Sequence, residues 1–306
     1  MKKILVIGSL NMDLVTYVSH LPAAGETISS FKFLKNPGGK GANQAVAAAK
    51  LGANVAMIGK VGMDEYGSML INSLKISGVS TKGIKQEGTT GMAFINVSVD
   101  GENQIVLVAG ANKEMNQSDI DDMKILICES DIIIMQLEIP LDVVEYALTL
   151  CVELGKQIIL NPAPAQRLSE STLHNLYALI PNQTELGLLT DMPVSTKQEI
   201  IAAGRYLKSL GVKKVIVTMG NKGSYIFNDD GESHIPAYQV KSIDSTAAGD
   251  TYIAGFAVGL SKGMSDREAA LFASKAAAIV VTREGAQSAL PTIDEVNQFQ
   301  SLLISN

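Results

Sequence analysis

The segment from Asp244 to Asp250 reads Asp-Ser-Thr-Ala-Ala-Gly-Asp, and an apolar run, Thr251–Leu260, follows it directly. This run predicts a helix with Asp250 in its first turn. Amide groups at a helix N-terminus lack intrahelical acceptors and carry partial positive charge, so they attract anionic oxygen. A bulky anion can approach the backbone here because small residues precede the acid: Ala247, Ala248 and Gly249.

An acid beside an anion-binding backbone has two interpretations. Asp250 can act as a general base that takes a proton from a hydroxyl group while that hydroxyl attacks a phosphoryl group. Alternatively, Asp250 is an ordinary N-cap, and the small residues before it serve only packing. The rest of the sequence is needed to choose between these two interpretations of Asp250.

A second glycine-rich segment, Asn36–Asn43, runs into an alanine-rich stretch that ends at Leu51. Its glycines permit close approach of the backbone, and Asn43 can cap a helix or bind a ligand. The segment lacks the Walker A pattern, and the turn at Gly8 lacks GxGxxG. A classical P-loop or dinucleotide site is therefore not indicated, and the segment taken alone is compatible with a simple tight turn.

The elements that must position these motifs alternate between strands and helices. Short β-rich apolar runs predict buried parallel strands at Ile4–Gly8, Val55–Gly59, Asp131–Leu137, Gln157–Asn161, Ala178–Asn182 and Val215–Gly220. Periodic runs, most of them ending at a glycine C-cap, predict helices at Ala42–Leu51, Tyr66–Ser77, Ser118–Cys128, Leu141–Leu154 and Gln198–Leu210. This alternation predicts an α/β fold with a mostly parallel sheet and crossover helices.

Two regions, Thr16–Phe33 and Thr89–Val108, break the alternation, since they lack helical periodicity and contain β-favouring residues. The second predicts a hairpin with its loop at Asp100-Gly101. We expect these pieces to pair into a small separate sheet whose apolar face covers something or meets a partner. The alternative is that they are antiparallel edge strands of the main sheet.

Polar residues follow the predicted strands, at the edge where parallel α/β sheets bind ligands. Amide and carboxylate side chains suit sugar hydroxyls, which both donate and accept hydrogen bonds. A turn or cap role explains any one of them, but their convergence predicts a polyol-plus-phosphate site. They include Asn11, Asp13, Gln136, Glu138, Asn161, Asn182, Glu185 and Thr218.

Composition limits the class of protein. The chain has 306 residues and a net charge of −6, and no basic run is longer than a pair such as Lys213-Lys214, so nucleic acid is not an expected partner. Cys128 and Cys151 lack metal-site spacing and fit reduced core residues of a cytoplasmic protein. The short apolar start fits a first strand rather than a signal peptide, and no apolar run approaches membrane-spanning length.

With both glycine motifs considered, the chain resembles the ribokinase family of sugar kinases, the PfkB group, over nearly its whole length. The motifs occur in family order: Gly38–Val46, Met135–Glu138, Asn161–Ala165, Asn182–Glu185 and Asp244–Asp250, with Ala248 where many relatives have glycine. The resemblance implies a three-layer α/β domain and a discontinuous β-sheet lid. The expected limits are 1–10, 37–88 and 113–306 for the α/β domain, and 11–36 and 89–112 for the lid.

The resemblance also implies an ATP-dependent phosphoryl transfer to the 5-hydroxyl of a sugar, with Asp250 as base and the amides of Ala247, Ala248, Gly249 and Asp250 as anion hole. The implied sugar ligands are Asn11, Asp13, Gly39, Lys40, Asn43, Glu138 and Asp250. The implied nucleotide-site residues are Asn182, Glu185, Thr218, Gly220, Gly249 and Ser274.

The same resemblance implies that the protein binds two kinds of cation and forms a homodimer. Mg²⁺ would be organised by Glu185, mostly through water, and K⁺ would bind at Asp244, Thr246, Val280, Arg283, Gly285 and Ser288. The chain departs from the family at Ala289, where a serine is expected, and Ser288 lies one place earlier. The lid is expected to form a homodimer contact.

Alternatives remain within and outside this family. Deoxyribokinases resemble several segments, including Val217–Gly220, but they tend to carry an apolar residue where this chain has Asn11. An amide can bond the 2-hydroxyl group, so D-ribose is the expected substrate. Fructokinase-like and adenosine-kinase-like activities fit the first motif less well. A catalytically silent sugar-binding regulator or nucleotide-binding scaffold is disfavoured by the intact catalytic positions.

Overall fold

The computed structural model describes residues 2–302. Its strands are β1 (Ile4–Ile7), β2 (Asn11–Val18), β3 (Lys32–Gly38), β4 (Val55–Val61), β5 (Ser80–Gln86), β6 (Gly91–Ser98), β7 (Asn103–Val108), β8 (Ile132–Met135), β9 (Gln157–Leu160), β10 (Ala178–Leu179), β11 (Val215–Thr218), β12 (Ser224–Asn228) and β13 (Gly231–Ile235).

The α-helices of this part of the chain are α1 (Lys40–Lys50), α2 (Glu65–Ile76), α3 (Gln117–Asp121), α4 (Lys124–Cys128), α5 (Leu141–Glu153), α6 (Glu170–His174), α7 (Gln183–Thr190), α8 (Lys197–Ser209), α9 (Ala248–Ser261), α10 (Asp266–Val280) and α11 (Ile293–Gln298). Short 3-10 helices cover Gly110–Glu114 and Gly220–Lys222. Within residues 2–302, no helix is long and apolar enough to cross a membrane.

The large sheet has nine strands among the described residues, in the order β13-β12-β11-β10-β9-β8-β1-β4-β5. Pairing is parallel from β11 to β5, and β12 and β13 add an antiparallel edge. The chain order reverses at β1, which pairs with both β4 and β8. Ligands of open α/β sheets bind at such a reversal, beyond the carboxyl ends of the strands.

Alternate residues of β1 enter separate cores on the two faces of the sheet. Ile4 and Val6 pack into the cluster that contains residues of α1, α9 and α10, whereas Leu5 and Ile7 pack into the cluster with α5 and α8. All four side chains are fully buried. A strand buried on both faces has to be apolar at successive positions, and this explains the uninterrupted apolar run.

Glycines end four of the predicted helices. Gly52, Gly78, Gly155 and Gly211 follow α1, α2, α5 and α8, and their φ angles lie between 68° and 97°. This left-handed conformation is the usual helix C-terminal one and is strained for other residues. The sequence prediction of these ends is confirmed.

Helices α9 and α10 approach closely along a row of small residues. A Cβ atom on Gly255 would lie 2.8 Å from Ala273 Cα, and one on Gly259 would lie 2.8 Å from Ala269 Cα. Both distances are too short for a carbon contact, so the backbones can meet only with glycine at these positions. The pair sets the position of α9, the helix that carries Asp250.

The four-stranded sheet is separate, in the order β3-β2-β6-β7. The expectation of a small separate sheet is confirmed, and the alternative of edge strands on the main sheet is wrong. Its strand β2 begins at Asn11, five positions before the predicted start at Thr16. The chain therefore enters this sheet almost immediately after β1.

The predicted single helix Ser118–Cys128 is wrong, because the chain forms α3 and α4 with a break between them. At the break, Met123 has φ −109° and ψ 13°, outside the helical region. The amides of Met123 and Leu126 bond carbonyls three residues back instead of four. Strands β5, β12 and β13 were not predicted from the sequence.

Candidate active site

The Gly38–Gly41 segment lies directly against the backbone that follows β1. A Cβ atom on Gly39, whose φ is 89°, would lie 2.7 Å from Asn11 N, and one on Gly41 would lie 2.6 Å from Ser9 N. A Cβ atom on Gly38 would collide with the Asp13 carboxylate. The glycines thus allow a close approach between two chain segments, which is more than a tight turn requires.

Glu138 joins these two segments by its carboxylate. Its Oε2 accepts hydrogen bonds from Ser9 Oγ at 2.5 Å and from the backbone amide of Lys40 at 3.1 Å. The amide of Gly41 donates to Ser9 Oγ at 3.3 Å. The polar ends of β1 and β8 therefore meet the start of α1, as the sequence predicted for residues following parallel strands.

Asn11 is oriented by a second asparagine, Asn112, which the sequence analysis did not single out. Asn112 is 1% exposed, and its Nδ2 donates to Asn11 Oδ1 at 2.8 Å. Its Oδ1 accepts from the Leu10 amide at 2.9 Å. With its carbonyl oxygen engaged, Asn11 presents its Nδ2 as the group left to donate to a ligand.

Several charged groups converge near these segments. Burial raises the pKa of the Asp13 carboxyl to about 7, and the nearby Glu138 and Asp250 act in the same direction. Burial lowers the pKa of Lys40, but the carboxylates of Asp250, Glu138 and Glu185 outweigh it, so the net shift is upward. Lys40 therefore remains a cation among acids.

Asp250 lies at the N-terminal end of α9 but does not cap it. The N-cap is Ala247, in the left-handed region at φ 59°, and no side chain caps this end. The first amides of α9 thus keep no intrahelical acceptor. Both oxygens of Asp250 instead accept side-chain amides, Oδ2 from Asn43 Nδ2 at 3.1 Å and Oδ1 from Gln44 Nε2 at 2.9 Å. The interpretation of Asp250 as an ordinary N-cap is wrong.

A cavity of about 240 Å³ opens in front of Asp250. It is lined by Lys40, Asn161, Ala163, Ile180, Asn182, Glu185, Thr218, Ser245, Ala247, Gly249, Asp250 and Ile253. Asn182 and Glu185 form a capping box at the start of α7, so their helix-capping role is real. Burial raises the pKa of Glu185, which counters the lowering by the Asn182 amide and by Lys40. The predicted base and four predicted nucleotide-site residues, Asn182, Glu185, Thr218 and Gly249, therefore share one cavity.

Two of the predicted nucleotide-site residues do not line this cavity. Gly220 begins a 3-10 helix with φ 58°. Ser274 lies on α10, is 8% exposed, and donates a long hydrogen bond of 3.4 Å to the Pro236 carbonyl. Their contact with a nucleotide stays a prediction.

The two segments expected to hold a monovalent cation lie side by side. Asp244 Oδ2 accepts from the Gly285 amide at 2.9 Å, and Asp244 Oδ1 accepts from Thr246 N and Oγ1 at 2.9 and 2.7 Å. Burial raises the pKa of Asp244, but these hydrogen bonds lower it more, so the net shift is downward and favours the ionised form.

The remaining members of this set lie on the second segment. The Val280 carbonyl accepts from the Arg283 amide at 3.0 Å, and the Arg283 guanidinium pairs with Glu295 at 2.6 Å. Ser288 is exposed, whereas Ala289 is buried and has no hydroxyl group. A carboxylate, hydroxyls and carbonyls form an oxygen donor set that fits a hard cation.

A family model described as pfkB family carbohydrate kinase matches residues 1–293. The chain belongs to the pfkB family of carbohydrate kinases. A family member from Haemophilus influenzae, a ribokinase, is 40% identical over 300 residues, which cover 97% of this chain and 98% of that protein. A deoxyribokinase from Salmonella typhimurium is 41% identical over 305 residues, with 98% and 99% covered.

Structural similarity within the family is equally extensive. The structure of Arabidopsis thaliana ribokinase complexed with ribose and ATP has a TM-score of 0.91 at 33% identity, covering 98% of this chain and 99% of that one. The expected ribokinase-like fold with a separate small sheet is therefore confirmed. The expectation of a sugar kinase is confirmed by the family match.

Sequence reasoning left several buried polar groups of this site without a role. Ser9, Gln44 and Asn112 are at most 1% exposed and contact predicted site residues. For Gln44 a signal was present, because it is a large polar residue in a helix otherwise rich in buried alanine. Its partners are distant in sequence, so the contact was not predictable.

We expect Asp13→Asn to stabilise the ligand-free protein, and to do so more at high pH. The folded-state pKa of about 7 lies above the ordinary 3.8, so ionised Asp13 destabilises the fold. This cost is absent below about pH 4, grows as pH rises, and is complete above pH 7, at roughly 1.4 kcal/mol for each pH unit between the folded and unfolded pKa values. Melting temperatures at pH 5 and pH 8 should show the gain over wild type widening by roughly several degrees.

The matched control for this prediction is Asp100→Asn, which neutralises an exposed acid in the loop between β6 and β7. Its effect on melting temperature should not change between the two pH values. A gain from Asp13→Asn that is the same at pH 5 and pH 8 would contradict the charge argument.

Proposed function

We propose that this protein transfers the γ-phosphoryl group of ATP to O5 of D-ribose, giving D-ribose 5-phosphate and ADP. The observation that carries the proposal is the Asp250 carboxylate at the uncapped N-terminus of α9, facing a cavity that Lys40 and Glu185 share. A carboxylate that can accept a proton, next to a helix end that can bind an anion, supports the proposal. Phosphoryl transfer to a hydroxyl group needs both.

In the proposed reaction, Asp250 takes the proton from the 5-hydroxyl as O5 forms its bond to the γ-phosphorus. The bond from that phosphorus to the bridging oxygen breaks, and ADP leaves with its electron pair. The amides from Ala247 to Asp250 and the dipole of α9 stabilise the negative charge on the transferring group. Lys40 lines the same cavity and adds a positive charge.

Sugar binding is assigned to the segments joined by the glycine contact. Asn11 donates from Nδ2, since Asn112 holds its carbonyl oxygen. Asp13 and Glu138 accept hydrogen bonds from hydroxyl groups, with Gly39, Lys40 and Asn43 completing the proposed set. This combination of donors and acceptors suits a polyhydroxylated ligand.

Two cations belong to the proposal. Mg²⁺ would be organised by Glu185, mostly through water, and would neutralise phosphate charge. K⁺ would add positive charge beside the anion hole and would be held by oxygen atoms of Asp244, Thr246, Val280, Arg283, Gly285 and Ser288. The oxygen-rich donor set of the two adjacent segments supports this, and the missing hydroxyl at Ala289 predicts weaker K⁺ binding.

We also propose a homodimer through the small sheet. Its edge strand β7 is exposed at all six residues, and no strand among the described residues pairs with its outer edge. Phe94, Val106 and Val108 are 44%, 58% and 39% exposed and lie on one side of the sheet by register. An apolar sheet edge of this kind favours association.

Deoxyribose is the second candidate substrate, because a deoxyribokinase is as similar as the ribokinases. The buried Asn11 favours ribose, since its free Nδ2 would lose a partner at a sugar without the 2-hydroxyl. The proposed compartment is the cytoplasm, which the free thiols of Cys128 and Cys151 support. Cys151 is buried as expected, but Cys128 is exposed, so the expectation that both are core residues is wrong.

The first experiment is an ATP-consumption assay with ribose, 2-deoxyribose, fructose and adenosine, in KCl and in choline chloride. We expect the highest kcat/KM with ribose and activation by K⁺. Asp250→Asn should lower kcat by at least about 100-fold with ATP binding retained. Because the new NH₂ group would face an amide donor, the melting temperature is recorded too. No activity on any sugar, or a folded Asp250→Asn variant with most of wild-type kcat, would contradict the proposal.

Asn11→Met should reduce the preference for ribose over 2-deoxyribose by roughly 10-fold, mainly through kcat/KM for ribose, because the donor to the 2-hydroxyl is lost. Asn112 keeps the Leu10 and Ala109 carbonyls as acceptors in this variant. The control is Thr16→Val, at a residue on the other face of β2. It should leave the ribose preference unchanged. A large ribose preference that Asn11→Met leaves unchanged would show that another residue selects the sugar.

Val106→Asp should dissociate the dimer, because it would bury an unpaired charge in the proposed contact. Sedimentation velocity at micromolar concentration measures the change. The matched control is Ile76→Asp, which places the same charge at an apolar residue outside the small sheet, 79% exposed at the end of α2. A wild-type protein that sediments as a monomer would disprove the dimer.

A further inference from the structure

A row of buried amide side chains leads from the end of β8 to the Asp250 carboxylate. Gln136 and Gln44 are both fully buried. Gln136 Nε2 donates to Gln44 Oε1 at 2.6 Å, and Gln44 Nε2 donates to Asp250 Oδ1 at 2.9 Å. The row therefore ends on one particular oxygen of the proposed base.

The orientation of the Gln44 amide is determined by Gln136 on one side and Asp250 on the other. Since Gln136 donates to the carbonyl oxygen of Gln44, the NH₂ group of Gln44 has to point at Asp250. The reversed amide would place its oxygen against the carboxylate, which is repulsive. Gln44 Nε2 also lies 3.3 Å from Asn161 Oδ1, and Asn161 is held by its own donation to the Ile180 carbonyl at 3.2 Å.

The arrangement costs folding stability. Gln136 Oε1 is buried and has no hydrogen-bond partner among the described residues. An unpaired buried acceptor is destabilising, and an apolar side chain of the same size would avoid the cost. A buried polar group that lowers folding stability is typical of a residue kept for its function.

The second donor to Asp250 differs from the first. Asn43 Nδ2 bonds Oδ2 at 3.1 Å, and Asn43 is also assigned to sugar binding. Gln44 has no exposed surface, so it cannot touch a ligand and is dedicated to the carboxylate. When Asn43 turns to the sugar, Gln44 still holds Oδ1, and Oδ2 becomes the oxygen that receives the proton.

We infer that Gln44, held by Gln136, is a positioning residue that fixes the rotation of the Asp250 carboxylate for proton transfer. The inference rests on the proposed function. An amide donor interacts more strongly with a carboxylate than with a carboxylic acid, so removal of Gln44 should alter the pH profile of catalysis. Gln44 also prevents rotation of the carboxylate away from the sugar.

Other ionisable groups face Asp250 and have to be separated from this effect. They are Asp13 on β2, Lys40 on α1, Glu138 after β8 and Glu185 on α7. None of them is substituted in the variants below. A change in the pH profile between wild type and variant therefore reports the loss of the amide.

The test compares the pH dependence of kcat with saturating ribose and ATP. Gln44→Met removes the donor at similar side-chain length, and we expect kcat to fall roughly 10-fold with its acid limb displaced upward by about 1 pH unit, as a lost hydrogen bond to a charge implies. Gln44→Glu keeps the shape but adds a second carboxylate, so the displacement should be larger. KM for ATP should change little.

A double-mutant cycle tests the role of Gln136. Gln136→Met alone should lower kcat less than Gln44→Met does, and it should have little further effect in the Gln44→Met background, because it acts only through Gln44. The control is Ser224→Ala, which removes a buried 2.7 Å hydrogen bond to Tyr252 on the same helix as Asp250. It should lower the melting temperature and leave the acid limb in place.

The outcomes separate this inference from the function on which it rests. If wild type phosphorylates ribose but the Gln44 variants show only the melting-temperature loss of Ser224→Ala, with an unmoved acid limb, the inference is wrong and the function stands. If wild type has no sugar kinase activity, both fail. If Gln44→Met does not fold, Gln136→Met provides the measurement, because it weakens the hold on Gln44 without placing a charge beside Asp250.

Discussion

The site depends on one backbone contact, in which the glycine segment before α1 lies against the chain that leaves β1. Gly39 and Gly41 meet Asn11 and Ser9 at distances that no Cβ atom could share. This contact carries the start of α1 over the switch point of the sheet. It thereby brings Asn43 and Gln44 within hydrogen-bonding distance of Asp250, which comes more than 200 residues later in the chain.

Charge is the second feature that organises the site. Asp13, Glu138, Glu185 and Asp250 lie near the cation Lys40. Burial raises the pKa of Asp13, and repulsion by Glu138 and Asp250 adds to the rise. A ligand that donates hydrogen bonds to these acids relieves the repulsion, and a ligand that binds only the folded state stabilises it. The site thus gives up stability in the free protein for affinity, as functional sites commonly do.

The sequence predicted those strands and helix ends that depend on neighbouring residues alone. Buried strands such as β1 have to be apolar on both faces, and helix ends such as Gly52 need a left-handed residue, so both were predictable. The break at Met123 was not, because nothing in its neighbourhood excludes a continuous helix. The role of Gln44 was not predictable either, since its partners Gln136 and Asp250 lie 92 and 206 positions away.

The contact between α9 and α10 has a consequence for the position of the Asp250 carboxylate, the proposed base, along the helix axis. Gly255 and Gly259 form notches one turn apart that receive Ala273 and Ala269. A slide of α9 by a single residue would move it about 1.5 Å along its axis and would drive side chains into these notches. The two helices can therefore pack in only one axial register. A methyl group added at Gly255 or Gly259 would shift Asp250 although neither glycine belongs to the proposed binding site.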